Sequence, residues 1–280
     1  MADAERSSVS ASVRGVAVAE TRGPQHNQAV IVAIISAVGV ILAALIPVLL
    51  SRNGSGQPPT ASVTVSSPSG AATASTRSVE TLGGPRLASL VLEDDFSTTL
   101  DRWPHLTETR RSAGYASGTY EIAAAAKAET SAFLRRDKAP SAGDVLVQVD
   151  GRLTMGKAGN GYGLICRATD QENYYRFNIT NDGYYGIFKV QDGNETALRG
   201  PSKSTAISSS HLNQIQALCV SYSDPPRTEL RLWINGTAVE NVVDDSRPVN
   251  GYQVGLYARD VSGGGTRWEF DNFQLWELTG

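Results

Sequence analysis

Six side chains between Gly161 and Val190 are suited to holding a polar ligand: Arg167, Tyr174, Arg176, Asn178, Tyr185 and Lys189. Tyrosine rings stack on the apolar faces of sugars, while Arg, Asn and Lys donate to hydroxyls or carboxylates. They fall in short runs of alternating character, and a strand sends successive side chains to opposite faces. In 172–179, Tyr175, Phe177 and Ile179 share one face, and Tyr174, Arg176 and Asn178 the other. In 183–190, alternation puts Tyr184, Phe188 and Val190 inward and Tyr185 and Lys189 outward. In 161–168, Tyr162, Leu164 and Cys166 share a face, with Arg167 opposite. Runs paired in sequence order would bring all six together as one polar-aromatic surface. A water-facing sheet carrying amphipathic Tyr and Arg would show the same pattern without a ligand. Glu229, Arg231 and Trp233 form a second outward set, equally consistent with a Trp that covers a neighbouring strand.

Patterns that would announce catalysis are incomplete. Gly151-Arg-Leu-Thr-Met-Gly156-Lys157-Ala158 stops one hydroxyl short of a phosphate-binding loop, and no helix follows it. His26, His105 and His211 are isolated from one another, so neither a histidine-based zinc cluster nor a nucleophilic triad is recognisable. Two cysteines exclude a four-Cys zinc module. A net charge of −3 over 280 residues argues against a nucleic-acid partner.

Three unlike segments precede or carry these residues. Ala29–Leu50 is an uninterrupted apolar run of 22 residues. At 1.5 Å per residue it would span roughly 33 Å, against a hydrocarbon core of about 30 Å, and predicts a transmembrane helix. A cleaved signal peptide would have a shorter apolar region and a small-residue cleavage site. Arg14 and Arg22 before the span, against Arg52 after it, favour a cytoplasmic tail over 1–28 and an extracytoplasmic C-terminal domain. Ala33, Ala37, Gly39 and Ala43 supply small-xxx-small spacings through which two spans could form a weak homodimer. Residues 51–86 hold 26 Ser, Thr, Gly, Pro and Ala in 36 positions, which predicts a disordered linker. Over 87–280, period-2 runs recur with Gly, Asn and Asp between them. They predict strands near 89–96, 118–123, 130–136, 144–153, 161–168, 172–179, 183–190, 212–222, 227–234, 237–243, 252–259 and 266–277. Asn235-Gly236 between two of them marks a tight hairpin. The domain reads as all-β, a sandwich or barrel.

Gly161-Tyr-Gly-Leu-Ile-Cys-Arg167, Asn173-Tyr-Tyr-Arg-Phe177, Asp182-Gly-Tyr-Tyr-Gly186, Leu232-Trp-Ile-Asn-Gly236, Gln253-Val-Gly-Leu-Tyr257 and Phe270-Asp-Asn-Phe273 together make a recognisable set, with Asp94-Asp-Phe96 and Trp103 at its opening. This set resembles the laminin-G-like jelly rolls of bacterial envelope proteins, in the concanavalin A-like lectin/glucanase superfamily. The resemblance covers nearly all of 87–280. It implies a two-sheet antiparallel jelly-roll sandwich, often carbohydrate-binding, sometimes a protein-interaction or spacer module. Related sandwiches process keto-sugars or glucans. Glu269-Phe-Asp271 is similar to the carboxylate strand of the glucan-cleaving members, but Phe273 stands where their third carboxylate would be. In such domains cysteines occur at the strand positions of Cys166 and Cys219, and an extracytoplasmic compartment favours their pairing. The expectation is a Cys166–Cys219 disulfide, the alternative being two ordinary small hydrophobes. Jelly rolls also fasten loops with calcium, and Asp94, Asp95 and Asp271 would meet if first and last strands pair. The expected function is a membrane-anchored module for carbohydrate binding, adhesion or sensing. A glycoside-processing enzyme or a structural domain of the same fold are the alternatives.

Overall fold

The computed structural model describes residues 75–138 and 143–279. The expected tail 1–28, membrane span 29–50 and linker residues 51–74 lie outside the described residues. Among the described residues are sixteen strands and one 3-10 turn, Arg136–Lys138. Ten strands form the larger sheet: β1 (Thr76–Thr81), β2 (Gly84–Asp94), β3 (Leu106–Thr107), β4 (Arg111–Ala116), β5 (Thr119–Ala124), β7 (Val145–Met155), β12 (Asn213–Ser223), β13 (Pro226–Ile234), β14 (Thr237–Asp244) and β16 (Thr266–Thr279). Six form the smaller: β6 (Glu129–Phe133), β8 (Gly161–Ala168), β9 (Tyr174–Thr180), β10 (Tyr184–Gln191), β11 (Asn194–Lys203) and β15 (Gln253–Arg259). The larger sheet runs β14-β13-β12-β7-β16-β5-β4-β3, the smaller β11-β10-β9-β8-β15-β6. The first half of β16 pairs with β5 and the second half with β2, which in turn pairs with β1. Every pairing is antiparallel. The expected all-β, two-sheet antiparallel sandwich is what the chain forms.

The core lies between the sheets. Tyr162, Leu164, Tyr175, Phe177 and Ile187 from the smaller sheet meet Val147, Ile215, Leu230, Trp268 and Phe270 from the larger, all fully buried. Each such side chain contributes roughly 1.5–3 kcal/mol over leaving it in water. Cys166 on β8 and Cys219 on β12 form a disulfide that joins the two layers through this core. Asn235 (φ 51°) and Gly236 (φ 76°) adopt the left-handed conformation that a two-residue hairpin turn needs.

All twelve expected strands are present within a few residues, but the domain starts earlier than expected. Residues 76–86, assigned above to the linker, form β1, its turn and the start of β2. In β1 the exposed Thr76, Ser78 and Glu80 alternate with the inward Arg77, Val79 and Thr81, so Ser/Thr-rich composition here belongs to a half-buried strand. The β1–β2 hairpin covers part of the outer face of the larger sheet, where Ala88, Leu146, Leu218, Val220, Trp276 and Leu278 make a second small core. The outward set Glu229, Arg231 and Trp233 is therefore partly covered. Glu229 is fully buried, accepting from Leu82 N at 2.7 Å and Tyr222 Oη at 2.8 Å, with the Arg231 guanidinium beside it.

Candidate functional site

The outer face of the six-stranded sheet gathers half of the expected surface. Strand β9 turns Tyr175, Phe177 and Ile179 into the core, leaving Tyr174, Arg176 and Asn178 outward, as alternation predicts. Register places Phe188 of β10 beside Arg176, and Gly163 between Asn178 and Tyr257 of β15. The Arg176 guanidinium lies 4.2 Å from the Tyr257 ring centre and 4.6 Å from that of Phe188. Such contacts contribute about 0.5–2 kcal/mol each, most where water is excluded, and Arg176 is only 3% exposed. Its Nη2 donates to Glu195 at 2.6 Å. Arg259 then approaches Glu195 at 3.8 Å and Glu129 at 4.0 Å, and Tyr257 Oη donates to Glu129 at 3.1 Å. The result is a continuous network, Arg176–Glu195–Arg259–Glu129–Tyr257, with Tyr257 buried and the carboxylates exposed.

Two glycines make this face possible. A Cβ at Gly161 would sit 2.5 Å from Asn178 Oδ1, and one at Gly186 would sit 2.6 Å from the Phe188 ring. Asn178 therefore lies across the neighbouring strand β8, and Phe188 along its own strand over Gly186, instead of standing off the sheet. Burial raises the pKa of the Tyr174 and Tyr257 hydroxyls, so both remain protonated donors at neutral pH. Two buried polar atoms on β9 have no protein partner, Arg176 Nε and Asn178 Oδ1. One is a donor and the other an acceptor, two residues apart on one face.

The other three expected residues are elsewhere, for identifiable reasons. Strand β10 has the opposite phase to the one expected. Tyr185 and Ile187 enter the core, and Phe188 and Val190 face outward. Lys189 points between the sheets, where Nζ donates to both Asp244 oxygens at 2.9 and 3.0 Å and to the Ser246 carbonyl. A lysine can occupy the inward phase because a buried carboxylate awaits it. Tyr175 Oη also donates to Asp244, at 2.6 Å, and Tyr185 Oη reaches the Val239 carbonyl at 3.2 Å. Arg167 leaves the alternation through a left-handed residue (φ 53°), beside a register shift between β8 and β15. Its guanidinium turns to the end of the sandwich, donating to Val249 O at 3.2 Å, Asp144 Oδ1 at 3.0 Å and Asn250 Oδ1.

Asp94, Asp95 and Asp271 do not form a metal-holding group, and no cluster of three or more His, Cys, Asp or Glu among the described residues does. Asp94 is buried and accepts from Phe96 N at 3.0 Å, Trp103 Nε1 at 3.2 Å and Tyr115 Oη at 3.2 Å. It organises the aromatic cluster of Phe96, Trp103, Tyr115 and Tyr120. Asp95 holds Ser97 N and Oγ. Asp271 faces Asp150 across the β16–β7 ladder. Sequence reasoning missed Phe188, Tyr257, Glu195 and Arg259. Regular alternation carried along β15 and β6 would have placed Tyr257 and Arg259 on the same face as Arg176.

No family model matches the chain, and no curated protein matches it. Solved structures do resemble it. The carbohydrate-binding module CBM66 from Bacillus subtilis is 18% identical, with a TM-score of 0.39 over 63% of this chain and 92% of that one. The carbohydrate recognition domain of Emp47p is 15% identical, with a TM-score of 0.45 over 68% and 96%. A xylan β-1,4-xylosidase from Bacillus halodurans is 15% identical, with a TM-score of 0.45 over 72% of this chain and 53% of the enzyme, so the chain spans about half of that protein.

Proposed function

We propose that this chain is a single-pass, membrane-anchored, non-enzymatic carbohydrate-binding module, with residues 75–280 forming an extracytoplasmic jelly roll of the concanavalin A-like kind. The ligand lies on the outer face of the six-stranded sheet, over Tyr174, Arg176 and Asn178. The observation that carries this is the unpartnered pair Arg176 Nε and Asn178 Oδ1 within an otherwise saturated aromatic and ionic network. A sugar hydroxyl can both accept and donate, so a hydroxylated ligand offers the kind of partner that each of these atoms lacks. Buried groups left unpaired cost about 1–3 kcal/mol each, and a ligand that pairs them recovers that.

A glycan array probed with the full chain in detergent tests the reading. Binding to at least one glycan is expected, with Arg176→Ala and Asn178→Ala each weakening it at least tenfold while leaving the thermal midpoint within the folded range. An array without hits, or binding that survives both substitutions, overturns it. Protease added to intact cells should digest the C-terminal domain and spare residues 1–28.

A further inference from the structure

A second concavity opens at the end of the sandwich, away from Arg176. Gly143 and Asp144 before β7, the β12–β13 turn from Ser221 to Arg227, and the Pro248–Asn250 loop surround a cleft of about 760 Å³. That lies within the ~300–1,000 Å³ of small-molecule sites. Its chemistry is cationic, although residues 87–280 as a whole carry a net charge of −5. Two guanidiniums converge on one carboxylate, and a third lines the cleft without joining them. Asp144 receives Arg167 at 3.0 Å and Arg86 at 2.6 Å, and also accepts from Ser221 N at 2.9 Å. Arg227, the third, makes no ion pair among the described residues. It lies 4.9 Å from the Tyr222 ring centre, and its Nε is buried without a hydrogen-bond partner. Arg167 is 3% exposed and held by three acceptors, so its part of the cleft wall is fixed in place.

We propose that this cleft binds a carboxylate-bearing small ligand, with Arg227 as its principal partner. Arginine presents paired N–H donors that match a carboxylate, and the surplus of positive charge disfavours a neutral occupant by comparison. Asn250 and Ser223 on the rim add polar groups suited to the rest of a hydroxylated ligand. The inference is independent of the sheet-face reading, since the two sites share no residue.

Titration calorimetry of the full chain with D-glucuronate and D-glucose decides it. Glucuronate should bind at least tenfold more tightly than glucose at low salt, and the preference should shrink at 0.5 M salt. Arg227→Gln should weaken glucuronate at least tenfold, Arg227→Lys less, and the exposed Arg110→Gln not at all. Equal affinity for the two sugars overturns the proposal, as does unchanged binding by Arg227→Gln. Equal losses from Arg227→Gln and Arg110→Gln would also overturn it, since net charge alone would then explain them.

Discussion

Lys189 and Asp244 are 8% and 2% exposed at their side chains and 2.9 Å apart, joined to Tyr175 in one buried polar group between the sheets. Removing the lysine leaves a carboxylate in the interior without its counter-ion, for which about 3–5 kcal/mol is the usual cost. Lys189→Met should therefore lower the unfolding free energy by about that amount, and adding Asp244→Asn should recover part of it in a denaturant titration. Asp271 is a milder case. Burial pushes its carboxyl pKa up, and Asp150 and Asp95 add to this against the Asn272 N–H. A folded-state pKa above the unfolded one favours folding at low pH, and that contribution is lost as pH rises through the folded value. Asp271→Asn should accordingly melt higher than wild type at pH 7 and with it at pH 3. Alternation located Tyr174, Arg176 and Asn178 correctly because β9 is regular. It failed for Lys189 because polarity was taken as a sign of exposure, and a partner 55 positions away is invisible locally. Arg167 escaped because one left-handed residue breaks the two-residue period.

The strands themselves were the legible part, and the exceptions share a cause. Strand β11 has no buried residue along Asn194–Lys203, and β3 has two residues, so neither writes a hydrophobic alternation. Strand β1 does alternate, but within a Ser/Thr-rich stretch whose average composition hides it. Only its contacts distinguish it from linker: Leu82 N on Glu229, Gly83 N on Tyr222 Oη, and the Arg77 guanidinium 3.8 Å from the Trp276 ring centre. The Cys166–Cys219 bond ties the middle strands of the two sheets across 53 positions. By loop-closure entropy it should contribute about 4 kcal/mol. The difference between oxidised and reduced, alkylated protein in guanidinium unfolding measures that directly.

For the whole molecule, the arrangement of the two ends of the described domain matters most. Strand β2 lies between β1 and β16, and Ser89 faces Thr76 on one side and Glu277 on the other. The entry and exit of the domain are thus about two strand spacings, roughly 10 Å, apart. The cleft lies beside those ends, with Leu278 of β16 in its wall, while the Arg176 face belongs to the other sheet. A domain held at its N-terminal end and loaded through a bound ligand would feel tension as a mechanical element, and the disulfide then acts as a stop. The 53 positions it spans cannot extend while it is intact. That withholds roughly 180 Å of contour length, at the reach of an extended chain. In single-molecule stretching, adding reductant should lengthen the unfolding step by about that distance, which makes thiol chemistry the setting for how far this domain can extend under load.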